Sequence, residues 1–529
     1  MNILTAIVFK PARHRIPPYI LWPSVLVIVL MTLPLFYLVL RALQADWATV
    51  QHLVFRPRNL DLMLNTLRLM FGVAAVCTAI ALPLAWLVVK TDLPGRRWVT
   101  LLAVMPLAVP GYVMAYALLS VGGFHGVSAL WFGVRLPRIQ GYWGATIALS
   151  LYTFPYLFLN LRAALHGLDA NLEESAASLG YSRWHIFRSV TLPHLLPAML
   201  AGWLVILLYT LGDFGAIALM RYEVFSYAIY TQISSASDRI YAAWLSLMLL
   251  AMALTFVALE AFVVHKKKYA RTGSGAARQA RPMRLGWMAL PAWLFVLAVV
   301  LVSLGLPSLI LTYWLVLSPP DISFFTDVPV TFLRSASAAI PAAILAALLA
   351  IPVAYLSVRY PSRLAAAVER TAYIGYSIPP LTLGLALVFF SLHTAHFLYQ
   401  TVPLLILGWV MATLALALGP IRSSLLQTRP NLEESAQSLG HGPLSTFFRV
   451  MLPRLNRGVI TGVVLVFVFL MKELPITFLL RPTGYDTLAV TVFTRTTEGM
   501  YAEAAPFAAA IVVFSSLTVA LMLSRESKR

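Results

Sequence analysis

The sequence predicts an all-α integral membrane protein, with about twelve transmembrane helices in two homologous six-helix halves. Three observations carry that expectation: an apolar composition, a series of apolar runs of bilayer length, and a ten-residue string that occurs twice.

The 529 residues are 60% hydrophobic and only 11% charged. A helix needs about 20 apolar residues to cross the hydrocarbon layer. Runs of that kind lie at 19–42, 64–89, 98–120, 143–161, 196–219 and 241–264, and again at 286–314, 332–358, 371–392, 399–421, 458–480 and 504–524. Pro83, Pro110, Pro352 and Pro379 fall within them, which membrane helices tolerate when neighbours satisfy the freed backbone groups.

A net charge of +19 raises nucleic acid as a partner, so the placement of the basic residues decides. Most of the 39 Lys and Arg fall in segments on the N-terminal side of the predicted membrane, the positive-inside distribution. It predicts cytoplasmic termini, with Lys10, Arg13 and Arg15 at one end and Arg525, Lys528 and Arg529 at the other, and attraction to anionic lipid rather than nucleic-acid binding. The first apolar run is long, follows a basic segment and lacks a small-residue cleavage site, so it reads as a retained span. Cys77 is the single cysteine, which rules out an intrachain disulfide or a cysteine-rich metal site.

Residues 171–180 read NLEESAASLG and residues 431–440 read NLEESAQSLG. Each string is followed by Val190 or Val450 and then by Leu192-Pro193 or Leu452-Pro453. The repetition extends to Pro83-Leu84-Ala85 with Pro352-Val353-Ala354, Pro110 with Pro379, Asp213 with Glu473, and Tyr241-Ala242 with Tyr501-Ala502. The predicted organisation is a first half over 1–264, a basic cytoplasmic linker over 265–285 and a second half over 286–529. Lys266, Lys267, Lys268, Arg271, Arg278, Arg281 and Arg284 around a Gly-Ser-Gly suit a solvated connection. An even number of spans per half makes the repeats parallel, with a pseudo-two-fold axis along the membrane normal.

Within the repeated loop, near 171–193 and 431–453, Asn171 is expected to cap a short helix, with Glu174 at its third position and Gly180 ending it. A second short helix is expected from Ser182 to just before Pro193, opened in the other copy by Gly442-Pro443. Helices this short are marginal in water, so another surface is expected to pack on them. Ser175, Ala176, Ala177 and Ser178, matched by Ser435, Ala436, Gln437 and Ser438, allow close approach, and the glutamates offer charges to a basic groove. An ordinary capped loop at the membrane surface is the plainer reading; duplication at equivalent positions favours docking.

The pattern carried by Glu174, Ser175, Ala176, Gly180, Val190, Leu192 and Pro193, and again by Glu434, Ser435, Ala436, Gly440, Val450, Leu452 and Pro453, resembles the cytoplasmic loop of permease subunits of binding-protein-dependent ABC importers. Serine stands in both copies where that family usually has its first alanine. The resemblance implies the type I importer permease fold, two ABC ATPase subunits as partners, and an extracytoplasmic or periplasmic substrate-binding protein, in the inner membrane of a bacterium. It also implies that the loops, including Glu173 and Glu433, couple ATPase closure to alternating access, and that one chain supplies both membrane halves. No lysine follows a glycine, so a phosphate-cradling Gly-Lys-Ser/Thr loop is absent. No cofactor is expected on this chain, with ATP and magnesium held by the partner, and no enzyme activity of its own.

Ionisable residues inside a membrane are costly and need a reason. Asp213 and its repeat mate Glu473, beside Lys472, are candidates for lining or gating a translocation path, or for a structural ion pair. Adjacent helical positions face apart, so Lys472 and Glu473 are expected to find different partners, with the pseudo-axis as one place to find them. Arg481 is a further path candidate, and Arg481 with Asp486 also reads as a solvated loop pair or a contact for a delivery protein. Residues 472–489, KELPITFLLRPTGYDTLA, resemble the matching segment of fused ferric-iron permeases, with Ile476 and Phe478 departing from the commoner residues. Permeases for aminoethylphosphonate and thiamine share much of the layout and remain alternatives. His393 and His396 are too few for a metal site. An ion-gradient carrier draws support from Asp92-Leu-Pro-Gly-Arg-Arg97, which resembles a major-facilitator loop, but Pro361-Ser-Arg363 does not repeat it.

Overall fold

The computed structural model describes residues 16–123, 126–234, 239–266, 282–317 and 322–526. Lys10, Arg13, Arg15, Lys528 and Arg529, and the linker cations Lys267, Lys268, Arg271, Arg278 and Arg281, lie outside the described residues. Within them every named element is a helix. Ten helices are long and apolar enough to cross a membrane, and two bent pairs raise the total to as many as twelve.

The bent pairs correct the expectation of continuous spans at 98–120 and 371–392. Arg96–Ala108 meets Gly111–Val121 at 91°, and Arg363–Ser377 meets Pro380–His393 at 105°. The cause is local. Val109 and Ile378 precede Pro110 and Pro379 and adopt extended ψ of 112° and 129°, because proline disfavours the helical region in the residue before it. The fifth and eleventh spans also shift. They run over Arg183–Gly212 and Pro443–Leu470, and the chain breaks before resuming as Gly215–Met220 and Pro475–Leu480.

By its contacts the chain forms two compact units, which are a different division from the two repeats. One unit groups Met1–Thr49 with Pro329–Val490. In it the first helix, Pro18–Ala42, packs on Arg363–Ser377 and Pro380–His393, and Val402–Gln427 packs on Leu452–Leu470. That last pairing is close because Gly458 and Gly462 carry no side chain. A Cβ at Gly458 would lie 2.4 Å from Ser424 Oγ, and one at Gly462 would lie 3.1 Å from the Ala417 carbonyl oxygen. Small residues four apart let membrane helices approach to backbone contact.

The other unit groups Val50–Val328 with Thr491–Arg529. Its centre is Pro57–Lys90 against Gly141–Gly167, with Leu192–Gly212 packed on both. Ala289–Val300 contacts Pro57–Lys90, and Leu306–Leu317 contacts Gly111–Val121 and Tyr501–Glu526. The end of the linker is held here too: Met283 N–H donates to the Lys90 carbonyl at 2.8 Å and Asp92 N–H donates to the Met283 carbonyl at 3.1 Å.

Candidate functional site

The repeated loop folds the same way in both copies, through local hydrogen bonds. In the first, Ala170–Ser178 is a helix whose cap is Asp169, accepting from the Asn171 N–H at 3.1 Å. The expectation that Asn171 caps it is corrected: the chain turns helical one residue before Asn171, so Asp169 is the residue whose extended backbone presents a carboxylate to the free N–H groups. In the second copy the helix is Asn431–Ser438, entered from Pro430 with no side-chain cap.

Both helices end alike. Gly180 has φ of 84° and Gly440 of 87°, a conformation that costs an ordinary L-residue about 1–2 kcal/mol. The Tyr181 and Gly180 N–H groups donate to the Ala176 and Ala177 carbonyls, and those of His441 and Gly440 donate to Ala436 and Gln437. This is the paired closure that glycine permits at a helix end.

Ser182 opens the next helix, accepting from His185 N–H at 3.3 Å. The helix was expected to stop before Pro193 and does not. Arg183–Ile186 continues through a wide turn at Phe187–Thr191 into Leu192–Gly212, and Pro443–Thr446 continues through Phe447–Met451 into Leu452–Leu470. The wide turn lengthens the hydrogen-bond register at the point where Pro193 and Pro453 can supply no N–H.

Exposure separates the loop residues into two groups. Glu174, Ser175, Gly180, Glu434, Ser435 and Gly440 are exposed, whereas Ala176, Leu192, Pro193 and Leu452 are half-buried, Pro453 is exposed and Ala436 is buried. Apolar side chains that the sequence reading passed over crown each tip. Leu179 is 76% and Trp184 69% exposed, and Leu439 is 81% exposed, with Tyr181, Leu444 and Phe448 also exposed. The signal for them was present, since an apolar residue directly before a helix-ending glycine has no span to join. Clusters of exposed apolar side chains rimmed by polar residues mark protein contacts.

Glu173 and Glu433 face the other way. Glu173 accepts from Lys90 Nζ at 2.6 Å and from Thr191 Oγ1 at 2.8 Å. Glu433 accepts from Arg359 Nε at 2.6 Å and from the Tyr355 hydroxyl. Burial, and then the Glu433 carboxylate, raise the nearby Tyr360 phenol above its ordinary pKa. Lys90 and Arg359 are the last residues of their spans, Pro57–Lys90 and Ile322–Arg359.

The carboxylates within the membrane region both serve helix starts. Asp213 accepts from the Ala216 N–H at 2.9 Å, the Ile217 N–H at 3.3 Å and the Tyr152 hydroxyl at 2.9 Å. Glu473 accepts from the Ile476 N–H at 2.8 Å, the Thr477 N–H at 3.0 Å, Thr477 Oγ1 at 2.6 Å and Trp409 Nε1 at 3.0 Å. Glu473 and Lys472 were expected to find different partners, with the pseudo-axis as a candidate place. The bonds of Glu473 are to Trp409 and to residues three and four positions on, because the break after Leu470 leaves the first N–H groups of Pro475–Leu480 unpaired beside it. Arg481 pairs with Asp486.

His393 Nδ1–H donates to the Phe389 carbonyl at 2.9 Å, and His396 stacks on Tyr399. Among the described residues no group of three His, Cys, Asp or Glu is placed to hold a metal ion. The loops present exposed apolar tips, and Asp213 and Glu473 complete backbone hydrogen bonding where helices are interrupted.

Residues 78–269 and 339–526 each match the family described as binding-protein-dependent transport system inner membrane component. The chain is 32% identical to the Fe(3+)-transport system permease protein FbpB 2 of Haemophilus influenzae over 515 residues, 96% of this chain and 98% of that protein. Over 136 residues it is 37% identical to the molybdenum transport system permease protein ModB of Escherichia coli, covering 25% of this chain and 58% of that protein. Over 192 residues it is 29% identical to the sulfate transport system permease protein CysT of Escherichia coli, covering 36% of this chain and 69% of that protein.

Proposed function

Starting from the chain's membership of the binding-protein-dependent transport inner-membrane family, shown by two matched regions that together span most of its length, we propose that it is the fused permease subunit of an ATP-driven ferric-iron importer. One polypeptide supplies both membrane halves. Two ATPase subunits seat on the loops around Gly180 and Gly440, and an extracytoplasmic binding protein delivers the cargo. The loops and both termini lie in the cytoplasm.

The observation that carries the reading is the twofold occurrence of one loop geometry: a short helix, a left-handed glycine that ends it, an exposed leucine before that glycine and a continuous helix from the loop into a span. A surface loop with no partner has no physical need for three-quarters-exposed leucines at both tips. Arg183–Gly212 and Pro443–Leu470 each run unbroken from the loop into a span, so force applied at Trp184 or Leu444 reaches the membrane along one helix. Iron is favoured over oxyanion cargo because similarity to the ferric permease extends over 96% of the chain, whereas similarity to the molybdenum permease covers 25%.

The test is uptake into proteoliposomes holding this chain and its ATPase pair, supplied with ferric-loaded binding protein. ATP-dependent accumulation of ferric ion, absent when binding protein is omitted, is the expected result. Uptake of aminoethylphosphonate, thiamine, molybdate or sulfate instead would reassign the cargo, and uptake driven by a proton gradient without ATP would overturn the importer reading.

A further inference from the structure

The inward-facing glutamates of the two loops are joined to the same structural position in each repeat. Lys90 and Arg359 both close the helix that carries the repeated Pro83 and Pro352, and each is the cation that meets the loop glutamate. The contacts differ in detail but agree in effect. Glu173 ties the loop helix to the end of Pro57–Lys90 and, through Thr191, to the wide turn that leads into Leu192–Gly212. Glu433 ties its loop helix to Arg359 and Tyr355 of Ile322–Arg359, and Arg359 also donates to the Thr428 carbonyl at 2.9 Å, where Val402–Gln427 ends.

We propose that Lys90–Glu173 and Arg359–Glu433 are internal struts: positioning residues that hold each loop helix rigidly to two spans, so that displacement of the tip moves the spans rather than pivoting the loop. This rests on the docking function proposed for the loops. Without the strut, a loop helix of nine residues or fewer is connected at one end through extended backbone at Leu168–Asp169 and at the other through a left-handed glycine, both of which are natural hinges. The pairs are half-buried or better at every side chain, so solvent ions screen them weakly. The strut carboxylates are bonded inward and partly buried, whereas Glu174, Leu179 and Trp184 are exposed and can meet a partner.

A pair that only stabilises the fold can be exchanged for apolar side chains of similar size at little cost, whereas losing one charge leaves the other stranded. The informative variants are therefore Lys90→Met, the apolar double Lys90→Met with Glu173→Leu, and the charge exchange Lys90→Glu with Glu173→Lys. They are made in the full complex reconstituted with its ATPase pair. If Lys90→Met fails to fold, the apolar double carries the test. Two readouts are taken: ferric ion taken up per ATP hydrolysed in unlabelled complex, and the distance distribution between nitroxide labels on cysteines placed at exposed Asn171 of the loop helix and exposed Trp98, with Cys77 replaced by alanine.

In the apolar double, the uptake ratio is expected to fall about tenfold, within the usual range of coupling between sites. ATPase co-purification is retained and the label distribution broadens. The charge exchange restores both. An apolar double with the unaltered uptake ratio and a narrow distribution would show that the pair only supports folding, and loss of ATPase co-purification would make it a docking contact; either overturns the strut. Failure of the unaltered chain to bind an ATPase pair would instead sink the docking function itself. The label measurement needs no cargo, so an error about iron leaves the strut tested.

Discussion

Trp409 donates its indole Nε1 hydrogen to Glu473 at 3.0 Å, which makes an aromatic residue of one span a cap partner for the short helix that follows another. The same carboxylate receives the Ile476 and Thr477 N–H groups, so among the described residues a buried acidic side chain is satisfied by hydrogen-bond donors of the helix it precedes and of a neighbouring span. A buried carboxylate is affordable in a membrane protein only when its acceptors are fully used.

Replacing Glu473 by alanine is expected to destabilise the chain by about 1–3 kcal/mol, since it leaves the Ile476 and Thr477 N–H groups without their acceptor and the Trp409 indole with only Thr477 Oγ1, at 3.2 Å. Glutamine keeps an acceptor oxygen and is expected to lose less. Thermal unfolding in detergent ranks the two. If glutamine keeps full stability but abolishes transport, the charge acts in the path.

Tyr152→Phe removes one hydrogen bond to Asp213 while leaving the Ala216 and Ile217 bonds in place. A loss of about 1.5–3 kcal/mol is expected for a bond to a charged group, and Asp213→Asn, which can still accept from the backbone, is expected to be milder. The comparison is made by unfolding midpoint at matched lipid content. A larger effect from the asparagine variant would point to a role for the charge.

Gly180→Val and Gly440→Val meet no neighbour within 4 Å, so their effect is the backbone conformation alone. Each is expected to strain its turn by about 1–2 kcal/mol, leaving membrane insertion intact and reducing co-purification of the ATPase pair. Asparagine, which tolerates left-handed backbone, is expected to retain more. Normal coupled transport in the stably expressed double valine variant would count against the docking assignment.

Leu179→Ser and Leu439→Ser remove exposed side chains and are expected to change stability by no more than about 0.5 kcal/mol. ATPase affinity is expected to fall about tenfold per tip, equivalent to ~1.4 kcal/mol. Titration of the purified ATPase onto the chain in nanodiscs measures it, and unchanged affinity would remove the tips from the interface.

Gly458→Leu places a side chain where Ser424 Oγ and the Pro420 carbonyl already lie within 2.4 and 2.8 Å of a Cβ. Overpacking of this kind is expected to cost about 1–3 kcal/mol. Gly419→Leu, with open space around its Cβ, is the control. Equal yields and unfolding temperatures for the two would contradict the close packing of these helices.

Much of the loop was legible because its determinants are local. The left-handed glycines, the helix opened by Ser182 and the proline entry at Pro443 each depend on residues within a few positions. The bends at Pro110 and Pro379 were visible as prolines but not as angles of 91° and 105°, since proline weakens a helix and neighbours decide whether it kinks or breaks. The Asp169 cap was missed because Asn171 has equal capping chemistry, and the choice turns on where the preceding span ends. Lys90 and Arg359 stood at matching repeat positions, yet their partners are 83 and 74 residues away.

The amino-acid order alone determined that this is a membrane chain, that it is duplicated, and that each copy carries a short loop helix ended by a glycine, because bilayer length, repetition and helix termination are properties of short stretches. Tertiary structure decided which glutamate of each loop turns inward, what satisfies Asp213 and Glu473, and that Pro18–Ala42 packs on Arg363–Ser377 and Pro380–His393 of the second repeat. An apolar helix face is compatible with any apolar surface. The choice is made by close fit, as where Met31 Sδ lies 3.0 Å from the place a Cβ at Gly375 would occupy.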